Sequence, residues 1–206
     1  MTTNLNRLQV HRKSGAELFE LAGAQQALSL LDFWQWSASD LVSNATRGRL
    51  AEFIVATALG IDVRGVRDEW AAYDLVTKAG TKIEVKSAAY LQTWHQKRPS
   101  PITFEVRKTL GWDPETNEME KTPRRQADIY VCALLAHMDK ATLDPLKLDQ
   151  WRFFVVPTPV LDERTRSQHS ITLRSLEKLT RGAVDYTALR AAVEEVVAQG
   201  VGGPAD

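Results

Sequence analysis

Two stretches leave this chain little choice about its centre. ADIYVCALL (127–135) and WRFFVVP (151–157) are short, nearly uninterrupted apolar runs rich in β-branched and aromatic residues. A strand that is apolar on both sides needs cover on both of its faces. YDLVT (73–77), TKIEVKSA (81–88) and PITFEV (101–106) read as further strands. Helices supply the cover. SLLDFWQW is a short one, with Ser29 as its N-cap. NATRGRLAEFIVATALG is a longer one that stops at Gly60 and starts as early as Asp40. LRSLEKL and DYTALRAAVEEVVAQ place C-terminal helices at about 170–199, before a flexible tail at 200–206. The expectation is an α/β fold: a mixed central β-sheet of about five strands flanked by helices, in one domain of 206 residues.

The long helix carries an anomaly. Leu50, Phe53 and Ile54 make one apolar face, and Thr57 extends it by bonding its hydroxyl back to a carbonyl one turn earlier. The opposite side is also apolar, with Ala45, Val55, Ala56 and Leu59, and Glu52 falls among them. A carboxylate there needs a partner, a shifted pKa or a metal. An ion pair with Arg49, or a wet edge, is the plain alternative.

The hairpin YDLVTKAGTKIEVKSA carries a second anomaly. Closing it over Lys78, Ala79 and Gly80 pairs Thr77 with Thr81, the glycine taking positive φ. Counting back sets Asp74 opposite Glu84, with Lys86 on the same face and Ile83 and Val85 on the other. Facing like charges destabilise a sheet. Lys86 offsets part of that cost; a divalent cation bound by hard oxygen ligands would offset more. A solvated strand face is the plain reading.

The order helix-Glu, strand-Asp, strand-Glu-x-Lys resembles the PD-(D/E)xK nuclease superfamily over about residues 40–157. Asp74 and Glu84-Val85-Lys86 match its motif, and Glu52 in RLAEFIV matches the acid of its N-terminal helix. The chain departs from the pattern where Tyr73, not proline, precedes Asp74. The resemblance implies a restriction-endonuclease-like fold and a single nuclease-like domain that hydrolyses DNA phosphodiester bonds with Mg2+, or Mn2+ in its place. Asp74 and Glu84 would hold the ion, with the Val85 carbonyl and Glu52 completing its shell. Lys86 would orient the attacking water or stabilise the developing anion. Gln92 is similar to a glutamine that some members place beside the metal, with an ordinary surface role as its alternative. The family expects a helix after the Glu-x-Lys strand; SAAYLQTWHQ (87–96) reads as that helix or as more strand. A homodimer is a further implication. A catalytically inactive binding module on the same fold is the rival.

Trp94, Lys97 and Arg98 interleave an aromatic with basic residues, and Lys121, Arg124 and Arg125 close a long polar segment at 107–126. These are the candidate nucleic-acid contacts, against the alternative of a solvated mixed-charge loop. Composition narrows the rest. Lys and Arg together number 26, as do Asp and Glu, so any DNA contact must be a local groove. The four histidines lack metal-ligand spacing, and there is no phosphate-binding glycine motif or other sign of a nucleotide cofactor. The single cysteine, Cys132, lies in the apolar run, where a buried hydrophobe is expected. No apolar run reaches the roughly 20 residues that span a bilayer, and no signal peptide is visible, so a cytoplasmic protein without membrane contact is expected.

Overall fold

The two apolar runs become the middle and one edge of the main sheet in the computed structural model of the chain, which describes residues 5–201. The elements in chain order are β1 (Leu18–Leu21), β2 (Ala24–Ser29), α1 (Leu30–Ala38), α2 (Asn44–Leu59), β3 (Leu75–Val76), β4 (Lys82–Ala89), β5 (Thr103–Glu105), β6 (Trp112–Asp113), β7 (Glu118–Met119), β8 (Ile129–Leu135), β9 (Trp151–Pro157), α3 (Thr158–Asp162), β10 (Ser170–Thr172), α4 (Leu173–Leu179) and α5 (Leu189–Val196). From residue 202 onward the expected tail lies outside the described residues.

The main sheet has four strands, ordered β3-β4-β8-β9, rather than about five. β4 and β8 run parallel from Ile83↔Ile129 to Ala89↔Leu135; the outer pairs are antiparallel. The strand missing from it is the one read in PITFEV. Pro99 and Pro101 remove ladder donors on entry to that segment. It forms β5, which pairs with β10 in a separate two-stranded layer. Phe104 of β5 and Ile171 of β10 are buried in the core cluster that also holds Tyr130, Cys132, Leu134, Phe154 and Val156 of the main sheet.

The alternation of β8 decides which core each residue enters. Ile129, Val131, Ala133 and Leu135 face α2 and α5, meeting Ala51, Ile54 and Val55 of α2 and Leu189 and Val193 of α5. Cys132 faces the other way and is fully buried, which pushes its thiol up to about 12 and removes it as a nucleophile.

α2 begins at Asn44, later than Asp40, and ends at Gly60. There φ is +68°, and Gly60 N–H bonds to Thr57 O at 3.1 Å. Thr57 Oγ1 bonds back to Ile54 O at 2.8 Å, as expected. The buried stripe runs through Arg47, Ala51, Ile54 and Val55, leaving Phe53 half exposed rather than in the apolar face. Ser29 caps α1 in a reciprocal capping box with Asp32.

SAAYLQTWHQ settles as neither pure helix nor pure strand. Ser87, Ala88 and Ala89 pair with Ala133, Leu134 and Leu135, and the chain then leaves the sheet without helix. The polar segment 107–126 is an arm, with β6 and β7 at its tip and a bridge between Thr109 and Arg124 at its base.

Candidate functional site

β3 is two residues long, and that shortness builds the site. It pairs Leu75 with Ile83 and Val76 with Lys82, and Thr77 N–H bonds to Thr81 O at 3.0 Å. The paired register ends at Leu75: Asp74 N–H bonds to Ile83 O at 3.1 Å, so the backbone does not continue the count that set Asp74 opposite Glu84. Beyond Leu75 the Asp74 side chain takes over the ladder: its Oδ2 accepts from Val85 N–H at 2.7 Å. A carboxylate is thereby pinned against the edge of β4, beside the side chains of Glu84 and Lys86.

Burial and like charge act together on Asp74. Only 18% of its side chain is exposed. Burial first, then Glu84 and Glu52, push its carboxyl up to about 7, while Val85 N–H and Lys86 pull it down. Lys86 Nζ bonds to Glu84 Oε1 at 2.5 Å. Burial opposes the charge on Lys86, but the charge and hydrogen bond of Glu84 outweigh it and leave its pKa raised, so the ammonium is protonated at neutral pH.

Glu52 reaches the same place from α2 through a residue that the sequence did not single out. Its partner is Arg67, not Arg49. Arg67 Nε and Nη2 both bond to the Glu52 carboxylate, the latter at 3.0 Å. Arg67 Nη2 also lies 3.7 Å from Asp74 Oδ1. Arg49 instead stands 3.8 Å from Glu69. Glu52, Arg67 and Asp74 line a cleft of about 460 Å³ together with Phe53, Asp62 and Asp68. Arg67 arrives on the irregular segment between Gly60 and β3. The signal for it was indirect: a carboxylate on a buried helix requires a cation, but Arg47 and Arg49 lie closer in sequence than Arg67 does.

Three carboxylates, Glu52, Asp74 and Glu84, and two cations, Arg67 and Lys86, therefore converge at one edge of the sheet. The donor set is hard oxygen, the ligand chemistry that suits a divalent ion such as Mg2+. Among the described residues no group of three or more Asp, Glu, His or Cys side chains is arranged to hold a metal ion.

The other predicted residues scatter. Gln92 is buried, donates to Ala89 O at 3.2 Å and Ser100 Oγ at 3.4 Å, and so ties down the turn after β4. Its Oε1 is buried without a hydrogen-bond partner. Trp94, Lys97 and Arg98 are exposed on the same turn, which leaves the end of the strand carrying Glu84 and Lys86. Lys121 and Arg124 are exposed on the arm, Arg124 paired with Glu120 at 2.6 Å. Arg125 is not available to a nucleic acid. Its side chain is 0% exposed and bonds to Val106 O, Asp162, and the backbone and side chain of Gln168. In the extended chain entering β8, neighbours point opposite ways, so Arg124 faces solvent and Arg125 faces inward. Among the described residues no helix is long and apolar enough to cross a membrane.

No curated protein matches the sequence significantly. The sequence model of the bacteriophage T4 endonuclease IV family matches residues 24–175, a span that starts at β2, reaches into α4 and holds every residue of the acidic cluster. Matched over well more than half its length, the chain belongs to the bacteriophage T4 endonuclease IV family.

Proposed function

We propose that this protein is a metal-dependent endonuclease of the PD-(D/E)xK type, hydrolysing DNA phosphodiester bonds at the β3–β4 edge. The observation that carries the reading is the convergence of Asp74, Glu84, Lys86 and Glu52, with Asp74 held near neutrality by burial and two neighbouring carboxylates. Asp74, Glu84 and the Val85 carbonyl would hold Mg2+, or Mn2+, with Glu52 as an outer or direct ligand. A bound ion would supply Lewis-acid stabilisation of the phosphate and acidify water. Lys86 does a different job. Protonated and held by Glu84, it stabilises negative charge that grows on the phosphate, and it is no base at neutral pH. Trp94, Lys97 and Arg98 extend the contact along the strand that leaves the cleft, the tryptophan by stacking and the cations by phosphate pairing.

The second reading is a catalytically inactive nucleic-acid-binding module on the same fold. It is favoured by the Arg67 ion pair that occupies Glu52. One assay separates the two. The purified protein is given Mg2+ or Mn2+ and a panel of linear, supercoiled, branched and single-stranded DNA. Cleavage that disappears in both Glu84→Ala and Lys86→Ala supports the nuclease. Cleavage persisting in both variants defeats this site, and binding to the panel without cleavage establishes the module.

The homodimer is proposed to form through the segment from β1 to α1. Within it Phe19, Leu21, Leu28, Leu31, Phe33 and Trp36 are between 45% and 84% exposed. At roughly 200 Å² per large side chain this amounts to about 700 Å². One side of a standard interface buries about 800 Å². The segment has no Lys or Arg between Lys13 and Arg47, which speaks against DNA as its occupant.

A further inference from the structure

Arg67 is held differently from the two buried arginines, Arg47 and Arg125. Arg47 donates to Val42 O at 2.6 Å, Asn44 Oδ1 at 2.8 Å and Ser87 Oγ at 3.1 Å, neutral acceptors fixed in the backbone or beside it. Arg125 is fully enclosed and divides its bonds between two backbone carbonyls, the Gln168 side chain and one carboxylate, Asp162. Arg67 bonds to carboxylates alone, both oxygens of Glu52 and Glu69 at 2.5 Å, and lies 3.7 Å from Asp74 Oδ1. Its side chain is 35% exposed. It rides on a segment with no regular structure of its own, tethered by the exposed pair of Arg7 with Asp68 at 2.5 Å and by the edge contact of Trp70 with Trp112.

These differences matter because a guanidinium keeps its charge at every working pH. Arg67 cannot leave the acidic cluster by losing a proton. It leaves only by exchange, when another cation takes over the carboxylates and another anion takes over the arginine. The fork that now grips Glu52 through two nitrogens suits a phosphate equally well.

We propose that Arg67 is an exchangeable counter-cation: it neutralises Glu52 and Asp74 in the metal-free protein, is displaced when a divalent ion enters, and then pairs with a phosphate of the substrate. The inference rests on the reading of the cluster as a cation site. It makes ion loading and substrate binding mutually dependent, because whatever displaces Arg67 from the carboxylates frees it for phosphate, and the converse holds by linkage.

The test is calorimetric titration of Mn2+ alone, without DNA, into the full chain and into Arg67→Met, Arg67→Lys and Asp74→Asn. Removing the competitor tightens Mn2+ binding by Arg67→Met about tenfold or more, within the range usual for coupled ligands. Arg67→Lys keeps the charge but loses the fork, and tightens it less. Asp74→Asn loses binding. If Arg67→Met misfolds by circular dichroism, Arg67→Lys decides: binding no tighter than in the unmodified chain overturns the exchange. Loss of binding in Asp74→Asn together with unchanged or weaker binding in Arg67→Met also refutes the exchange, while leaving the cation site standing. Unaltered binding in Asp74→Asn refutes the site itself. The phosphate half is read by fluorescence anisotropy of mixed labelled oligonucleotides on a Lys86→Ala background. Mn2+ raises their affinity, and Arg67→Met abolishes that rise; a rise that survives undiminished rejects the transfer to phosphate.

Discussion

Replacing Asp74 with asparagine should stabilise the metal-free protein, and only at the alkaline end of its working range. Asn is isosteric, and its Oδ1 can still accept the Val85 N–H that Asp74 Oδ2 accepts at 2.7 Å. What the change removes is a charge. The Asp74 carboxyl has an ordinary value of 3.8 and is raised to about 7 in the folded protein by burial, then Glu84 and Glu52. The folded state therefore holds a proton on Asp74 that the unfolded state has already released between those two values. Stability falls with rising pH wherever the folded state binds more protons. The window opens near pH 4 and closes just above pH 7. Below it the acid is protonated in both states and costs nothing. Above it the buried carboxylate carries the whole penalty, about three pKa units at about 1.36 kcal/mol each, on the order of 4 kcal/mol.

Urea unfolding followed by tryptophan fluorescence, in EDTA from pH 4 to pH 8, measures this directly. The unmodified chain should lose stability across the window. Asp74→Asn should match it near pH 4 and exceed it by about 2–4 kcal/mol at pH 8. Equal slopes in the two proteins, or an Asn variant that is the less stable at pH 8, would show that Asp74 is solvated or permanently paired. The electrostatic case for a cation site would then collapse.

Other consequences follow from the same contacts. Glu84→Ala and Lys86→Ala should each lower cleavage by about 10² to 10³ with native circular dichroism, the usual effect of removing one group that stabilises transition-state charge; a change below tenfold would exclude that role. Arg125→Met should cost about 2–4 kcal/mol in urea unfolding, because it strands the Val106 and Gln168 carbonyls, while Asp162 keeps Lys108 at 3.1 Å. Lys97→Ala and Arg98→Ala should leave stability alone, weaken DNA binding, and each reduce its salt slope by about one; a normal slope in both would remove the turn after β4 from the interface. Trp36→Ser should convert a dimer to a monomer in sedimentation analysis, and a monomer before the change would rule out the β1–α1 contact.

How the chain reveals its site depends on whether a residue's neighbours in space are also its neighbours in sequence. The hairpin is local. Gly80 has φ of +87° and fixes the turn, Thr77 meets Thr81, and period two places Glu84 and Lys86 on one face of β4, while Asp74 joins them past the paired register through its bond to Val85 N–H. Arg67 is nonlocal: it lies 15 residues from Glu52 on a segment with no periodicity to orient it. The β1–β2 hairpin is local yet unread, because its turn is Ala22-Gly23, with φ of +51° and +81°, where Asn-Gly is the recognisable pair. β5 left the sheet for a reason present in the sequence, the prolines at 99 and 101, which outweighed the β-branched pattern that followed them.

The place where local rules are broken most openly is Asp74. A two-residue edge strand has few ladder bonds to spare, and Thr or Val at its end would suit both strand propensity and the nearby Glu84. The chain instead buries a third carboxylate beside two others, and brings Arg67 and Lys86 to hold the group together. Consistent sequences depart from their own rules chiefly where a site must be kept ready for something else. A purely structural cluster would have been served by fewer charges, since each added ion costs desolvation that its partner only partly returns. Of these five groups Glu52, Arg67 and Asp74 line the cleft, while Glu84 and Lys86 pair beside it, so the carboxyl raised by burial is also one that a solute entering the cleft can reach.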